Sequence, residues 1–450
     1  MVIVSLLLLV IVSSCSANGA PFEATLLRAD GTNLNEESVP QYALASSTPT
    51  LHWSISASIR GLTPRSYVLT LHDLSADPLK TQPSFVSHVI HSSSTTHLWS
   101  SHQDFPVLTS GTLYEWHVSG TLSNNDTYST RAQPGRFRIS LLQDQAWHNV
   151  SWLGSNDFNV YRTQFHVGAT KPLDAILYIA GLGYSNVMLN GKPIGKNHLV
   201  TAPWTANERL VGFSALDVTA NLLSNQVNSL TVMLGNGWRE QSDFPYRDHD
   251  ELGDDSVQKV LRAQLYFGSA SSTKPITYTG DGTWTAAVGP STYDSVYNGE
   301  TFNATRMRSL MTATLNDTST WQSAPQTKGP RGKMIPWSAP QVEITQEIPP
   351  ISVHSPAPHV FVFDFGVNLA GVVRLNKLVH CKENERIILQ HGKWYIDMLY
   401  WFLFTRHMDT HICCPLRQLH LRSGDHAARG YPGIKPFQPK LYLHRQFEIG

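Results

Sequence analysis

Histidine and cysteine side chains gather near the end of this sequence. His407 and His411 are four residues apart, and Cys413 and Cys414 follow directly. On a helix the two imidazoles would share one face, where they could bind Zn²⁺ together with a thiolate. The segment has no helix start signal, so the other interpretation is a His-rich tail without a metal. From this pattern we predict no metal site and no cofactor.

Three aromatic residues could stack against a sugar ring. Trp204 follows Pro203 in a loop, Trp238 ends the string LGNGW, and Tyr184 ends the string GLGY. Aromatic faces suit the apolar face of a pyranose, although aromatic residues in β-domains more often belong to the core. We therefore take Trp204, Trp238 and Tyr184 as candidate carbohydrate-binding residues, with core packing as the alternative.

The stretch that contains Tyr184 predicts β-structure with a hairpin. Its strongest β-formers are Ile176, Tyr178, Val187 and Leu189. Asn190 and Gly191 supply the two residues that a type I′ turn requires. Pro193 cannot donate to a central ladder, so the hairpin should lie at the margin of a sheet.

Short apolar runs between Gly, Pro, Asn and Asp clusters recur along the chain, and no fixed repeat is evident. No helical period exceeds about a dozen residues before residue 390, which is typical of β-sandwiches. We predict an all-β fold of consecutive sandwiches, and residues 160–325 should form an antiparallel one that folds independently, with the Asn190-Gly191 hairpin at its edge. Trp53, Trp99 and Trp116 fall in strand-like runs and are expected in the core of another.

The charge balance argues against several classes of partner. The 450 residues hold 34 Lys and Arg against 34 Asp and Glu, and aromatic residues make up 10%. With no basic excess, neither nucleic acid nor an anionic membrane surface is an expected partner. A neutral substrate suits this composition better than a polyanion.

The start of the chain predicts export. Residues 2–12 form an apolar run that is typical of a signal-peptide core and too short to span a bilayer. A lipoprotein box ending at Cys15 is the competing interpretation. Four Asn-x-Ser/Thr triplets favour eukaryotic secretion and glycosylation, at Asn125, Asn149, Asn303 and Asn316. The remaining cysteines, Cys381, Cys413 and Cys414, do not form a disulfide framework.

Several strings together resemble one enzyme family. In order they are GLGYSNVMLNG, APWT, LGNGW, YNGE and Asp364–Gly371, which reads DFGVNLAG. Together they resemble the N-terminal accessory domains of bacterial-type α-L-rhamnosidases. Within these strings, Glu300 and Asp364 are expected to fix turns and are not assigned a role in catalysis.

The resemblance implies a domain order. It comprises a signal peptide at 1–20, a fibronectin-type sandwich at 21–145, the accessory sandwich at 146–328, the start of a concanavalin-like β-domain at 340–392, and a divergent or frame-altered tail at 393–450. A Pro- and Gly-rich linker is predicted at 326–340, and the tail is expected to be loosely ordered. The catalytic (α/α) barrel of the family is missing from the matched strings.

Family members are inverting glycosidases, and the resemblance implies that both catalytic carboxylates come from that barrel. The string Cys414–Asp425 partly matches the family's acidic motif, but Cys413 stands where the leading Asp is expected. We assign no catalytic residue. The sequence predicts a fragment of a secreted α-L-rhamnosidase that acts on rhamnose-containing glycosides or polysaccharides. The alternative is a non-catalytic carbohydrate-binding or adhesive protein.

Overall fold

The fold was examined in a computed structural model. It describes residues 22–31, 43–57, 59–75, 79–100, 104–130, 133–194, 205–237, 259–295, 299–312, 317–337, 344–367, 371–375, 386–392, 410–413, 419–422 and 440–446. The described residues form two compact units, the first lying within 1–39, 48–108 and 113–137, and the second within 40–47, 109–112 and 138–450. The all-β prediction is confirmed, because strands dominate both units.

The first unit consists of strands β1 Phe22–Ala29, β2 Thr50–Ala57, β3 Pro64–Asp73, β4 Phe85–Val86, β5 Thr96–Leu98, β6 Leu113–Leu122, β7 Thr127–Thr130 and β8 Gly135–Arg138. Arg138, the last residue of β8, already belongs to the second unit. Hydrogen bonds join them in the order β4-β3-β6-β7-β1-β2-β5, and β8 also pairs with β6. The β1–β7 pairing is parallel. A short parallel contact therefore links two antiparallel groups of strands.

Tryptophan side chains fill the core of the first unit, as the sequence predicts. Trp53 on β2 contacts Tyr67 and Trp116 edge-on, with ring centroids 4.9 and 6.4 Å apart. β2 lies far from β3 and β6 in the strand order, so the sheet folds back on itself. Trp99 is also buried, and its indole N–H donates to the carbonyl oxygen of Pro106 at 3.0 Å.

Two half-buried histidines should make this unit sensitive to acid. Burial lowers the pKa of His97, and the nearby charge of His88 lowers it further. Burial likewise lowers the pKa of His117, against the attraction of Glu115. Since the unfolded chain then binds these protons more readily, stability is fully present above the ordinary histidine pKa of 6.5 and is lost as the pH falls below it.

We therefore expect a lower urea midpoint at pH 5.5 than at pH 7.5, followed by tryptophan fluorescence. The double variant His97→Gln/His117→Gln should show a clearly smaller difference between the two pH values. An equal difference in the variant would assign the acid sensitivity to other groups.

The second unit contains twenty-two strands and one α-helix within its described residues. The strands up to the helix are β9 Trp152–Gly154, β10 Val160–Val167, β11 Ala175–Gly181, β12 Tyr184–Leu189, β13 Lys192–Pro193, β14 Leu210–Asp217, β15 Gln226–Gly235, β16 Val260–Phe267, β17 Thr277–Tyr278, β18 Thr285–Ala287, β19 Ser291–Ser295 and β20 Gly299–Asn303. Short 3₁₀ helices span Asp144–Trp147 and Thr219–Asn221.

Helix α1 Ala304–Thr312 follows β20. The later strands are β21 Gln322–Ser323, β22 Gln326–Thr327, β23 Lys333–Pro336, β24 Ser352–Ala357, β25 Val360–Asp364, β26 Val372–Leu375, β27 Arg386–Gly392, β28 Thr410–Cys413, β29 Leu419–Arg422 and β30 Lys440–Gln446. Asn303 caps α1, its side-chain oxygen accepting the Arg306 backbone N–H at 2.9 Å. No described helix has the length and apolar character needed to cross a membrane.

Two sheets form a sandwich in the second unit. One has the order β13-β12-β15-β10-β18-β21, and the other β22-β9-β16-β11-β14-β23 with β17 paired to β16. Leu177 of β11, Val187 of β12 and Val232 of β15 belong to one core cluster between them. The two facing sheets form a sandwich as predicted, but β14 and β23 pair in parallel, and strands β9, β22 and β23 lie outside residues 160–325. That residues 160–325 fold independently stays a prediction.

The Asn190-Gly191 hairpin is confirmed, and so is its position at a sheet margin. Asn190 and Gly191 have φ values of 55° and 73°, and β13 with Pro193 is the outer strand. The Asn190 side chain donates to Asn228 Oδ1 at 2.8 Å and accepts the Ser229 backbone N–H at 2.9 Å. The turn is thus held by side-chain hydrogen bonds as well as by backbone conformation.

One part of the hairpin prediction is wrong. Ile176 and Tyr178 lie in β11, which belongs to the sheet facing β12. All seven residues of β11 are buried, because its outer face packs against Trp147 and its inner face lines the sandwich core. The chain therefore changes sheets at Leu182 and Gly183, between β11 and β12.

The predicted linker at 326–340 also differs from the structure. Its described part contributes β22, which pairs with β9, and β23, which pairs with β14. Met334 of β23 is 8% exposed and packs in the same cluster as Val211. The segment therefore completes the sandwich. Nothing else tests the predicted domain boundaries, which stay predictions.

A further sheet has the order β19-β20-β28-β27-β30-β25-β24, and β26 pairs with β29. The bend after Asp364 is present: Gly366 has a φ of 71°, and its N–H donates to Asp364 Oδ1 at 2.9 Å. In the tail that we expected to be loosely ordered, the three described segments are strands β28, β29 and β30. β30 lies between β25 and β27.

Candidate functional site

The strings GLGY and LGNGW meet at one end of the six-stranded sheet. Tyr184 at the start of β12 pairs with Gly235 at the end of β15. Gly183 and Gly237 both have positive φ, 94° and 54°. A Cβ on Gly183 would lie 2.1 Å from the Gly235 oxygen, and one on Gly237 would lie 2.8 Å from the Gly183 carbonyl carbon. Only glycine can occupy positions 183 and 237, where the two backbone segments approach each other this closely. We call this place the Gly183–Gly237 crossing.

A third string, YDSVYNGE, contributes to the same place. The Asn236 backbone N–H donates to Asp294 Oδ1 at 2.5 Å, and the Asn236 side-chain amide donates to the Asp294 carbonyl oxygen at 2.8 Å. Asp294 lies on β19, directly opposite Glu300 on β20. These two hydrogen bonds fix the β19–β20 hairpin against the end of β15.

The crossing leaves Tyr184 half-buried. Asn236 Oδ1 is buried and has no hydrogen-bond partner among the described residues. Aromatic rings can stack on the apolar face of a sugar, so carbohydrate binding by Tyr184 stays a prediction.

Of the predicted sugar-binding residues, Tyr184 alone lies within the described residues. Trp204 and Trp238 lie outside them, so the proposed aromatic platform stays a prediction. Sequence reasoning missed Asn236 and Asp294. The Asn-Gly pair at 236–237 signals a turn, but no local signal links it to a residue 58 positions later.

Two arginine side chains, the buried Arg162 and the half-buried Arg262, pack on aromatic rings in this sandwich. Arg162 stacks on Trp321 with its guanidinium carbon 4.2 Å from the ring centroid, and donates to the Leu310 carbonyl oxygen of α1 at 2.8 Å. Arg262 lies between Trp147 and Trp152, 5.5 and 5.6 Å from their rings. Burial lowers the pKa of Arg262 to about 10, so it stays charged at neutral pH.

The other predicted sites are only partly described. His411 and Cys413 lie on strand β28, and not on the helix that a His407–His411 pair would need. His407, Cys414 and Asp425 lie outside the described residues. Within the ranges given above, no group of three or more His, Cys, Asp or Glu side chains could hold a metal ion. Asp364 caps its own bend, as expected.

The glycosylation triplets lie in varied settings. Asn125 is an exposed turn residue with a φ of 69°, and its side-chain oxygen accepts a hydrogen bond from Arg65 at 2.7 Å. Asn149 is exposed after a 3₁₀ turn, whereas Asn303 is half-buried as the cap of α1. Asn316 lies outside the described residues. Glycosylation at these sites stays a prediction.

A family model of the α-L-rhamnosidase N-terminal domain matches residues 170–346. These residues are therefore similar to the N-terminal domain of α-L-rhamnosidases. The match includes the Gly183–Gly237 crossing, the Asn236–Asp294 contact and strand β23. The sequence resemblance to this family is therefore confirmed.

Relatives along the chain carry the same name. An α-L-rhamnosidase of Formosa agariphila is 28% identical over 400 residues, which cover 81% of this chain and 40% of that protein. One from Alteromonas sp. is 25% identical over 296 residues, covering 61% of this chain and 31% of that protein. The chain thus spans well under half the length of these rhamnosidases.

Solved structures share the fold of the rhamnosidase N-terminal domain and its flanking sheets. The α-L-rhamnosidase of Dictyoglumus thermophilum has a TM-score of 0.73 at 18% identity, covering 94% of this chain and 47% of that one. That of Streptomyces avermitilis, solved with L-rhamnose, has a TM-score of 0.73 at 14% identity, covering 94% and 57%. At these identities the likeness concerns the fold alone.

Proposed function

We propose that this chain is the N-terminal, all-β part of a secreted α-L-rhamnosidase that hydrolyses terminal α-L-rhamnosides with inversion. The match of residues 170–346 to the rhamnosidase N-terminal domain is the observation that carries this proposal. The apolar run at 2–12 supports export. The role of these residues would be to bind and orient a rhamnose-containing glycoside.

Inversion requires an acid and a base about 6.5–9.5 Å apart on opposite faces of the sugar. In the family that this chain resembles, a helical barrel supplies both carboxylates. The described residues are mostly strands, and their one α-helix is the nine-residue α1. General acid–base catalysis needs both groups within hydrogen-bond reach of the scissile bond or its water.

We therefore expect the 450-residue chain alone to release no aryl group from a nitrophenyl α-L-rhamnoside. The Asp425→Asn variant tests the string that partly matches the acidic motif, and it should behave as the parent chain does. Turnover by the parent that disappears in the variant would place a working catalytic acid in residues 414–425.

A rhamnose titration distinguishes the rhamnosidase part from a protein without a sugar ligand. If Tyr184 stacks on the sugar, Tyr184→Ala should abolish weak, saturable binding of L-rhamnose, whereas Tyr184→Phe, which keeps the ring face, should retain it. Binding that is equal in both variants would exclude Tyr184 from the contact.

Binding without hydrolysis is also what the alternative, a non-catalytic carbohydrate-binding or adhesive protein, would show. A hydrolysis assay on the full-length gene product separates the two.

A further inference from the structure

A fully buried carboxylate in the first unit gathers three basic side chains. Glu115 on β6 is 0% exposed, and its Oε1 lies 2.5 Å from Lys80 Nζ and 3.2 Å from His117 Nε2. Its Oε2 lies 2.7 Å from Arg136 Nε on β8. Burial alone would raise the pKa of Glu115, but the hydrogen bonds and charges of Lys80 and Arg136 lower it. The carboxylate is therefore ionised at neutral pH.

The basic side chains also face solvent. Their exposed fractions are 35% for Lys80, 34% for His117 and 37% for Arg136. His72 lies opposite Glu115 in the β3–β6 pairing and contacts the His117 ring edge-on at 5.7 Å. Strands β3, β6 and β8, with Lys80 from the segment between β3 and β4, thus present one basic patch. We call it the Glu115 cluster: Lys80, Glu115, Arg136, His117 and His72.

The Glu115 cluster carries an excess of positive charge. Lys80 and Arg136 contribute two positive charges, and Glu115 neutralises one of them, in a chain whose overall charge is zero. Lys80 Nζ has three N–H donors, of which Glu115 takes one. Because the buried Glu115 carboxylate contacts both Lys80 and Arg136, these side chains are already oriented before a ligand binds. This reduces the entropy cost of binding.

We propose that the Glu115 cluster binds a small oxyanion, the carboxylate or sulfate group of a ligand. Oxyanions accept charge-assisted hydrogen bonds from ammonium and guanidinium groups, which are stronger than neutral ones. The site belongs to the first unit and does not depend on the proposed rhamnosidase activity. If the cluster served only to stabilise the fold, the chain would show no saturable binding of anions.

The test is calorimetric titration of the intact chain at constant ionic strength, with chloride as the balancing ion. The probes are sodium sulfate, sodium glucuronate and, as a neutral control, glucose. We expect saturable binding of at least one anion and none of glucose. Sulfate tests for a sulfate-binding site, and glucuronate tests for a carboxylate-binding site. Binding of either anion supports the proposal and identifies which group the site prefers.

Matched lysine variants locate the binding. Lys80→Gln should weaken it about five- to tenfold, as the loss of one charge-assisted hydrogen bond implies. Lys80→Arg should restore it, and Lys171→Gln, which removes a lysine from the second unit, should leave it unchanged. Circular dichroism of each variant confirms folding. The proposal is overturned if neither anion saturates, if glucose binds equally, or if Lys171→Gln weakens binding as much as Lys80→Gln.

Discussion

Replacing Arg138 with methionine is expected to lower the free energy of unfolding by about 3–5 kcal/mol, because it leaves the buried carboxylate of Asp174 without its cationic partner. Arg138 and Asp174 are 3% and 7% exposed, and Arg138 Nη2 lies 2.5 Å from Asp174 Oδ1. The same guanidinium donates to the Gly111 carbonyl oxygen at 3.3 Å. Urea unfolding of the parent and variant chains measures the loss.

A double variant separates the charge from the packing. Asp174 Oδ2 is buried and has no partner among the described residues, so the ion pair is incompletely satisfied. Replacing both partners of a buried pair with apolar residues is often neutral or stabilising. Arg138→Met/Asp174→Leu should therefore recover most of the lost stability. A single Arg138→Met variant that costs under about 1 kcal/mol would show that the pair is solvated.

The second large effect is expected for Gly183→Ala at the backbone crossing. The φ of 94° costs an L-residue about 1–2 kcal/mol, and the overlap with the Gly235 oxygen adds about 1–3 kcal/mol. The total loss should be about 2–5 kcal/mol in urea unfolding.

Gly282→Ala is the matched control for that variant. Gly282 has a φ of 85°, and a Cβ there would have no neighbour within 4 Å. It should therefore show the conformational cost alone, about 1–2 kcal/mol. Equal losses in the two variants would mean that the backbone at Gly183 relaxes and that the crossing is not tight.

Local signals in the sequence were sufficient for part of this fold. The Asn190-Gly191 turn and the edge position of Pro193 follow from backbone chemistry that acts within a few residues. The core positions of Trp53, Trp99 and Trp116 follow from hydrophobicity and strand-like surroundings. The family strings predicted the similarity of residues 170–346 to the rhamnosidase N-terminal domain, which composition alone does not provide.

Long-range pairing could not be predicted in this way. The run AILYIAG is apolar on both faces, so its pattern does not say which sheet receives β11. The Asn236–Asp294 contact joins residues 58 positions apart, and neither has a local feature that requires the other. Residues 326–336 resemble a linker because two Gly and two Pro fall among these eleven residues, yet tertiary pairing with β9 and β14 makes two strands.

The parallel pairing of β14 with β23 has a consequence for synthesis on the ribosome. Phe213 of β14 is made about 120 residues before Lys333 of β23, an interval of roughly 6–24 s at about 5–20 residues per second. Throughout that interval the outer edge of β14 has no β23 to pair with. An open strand edge can pair with other chains, so this interval is when a nascent chain most needs a chaperone.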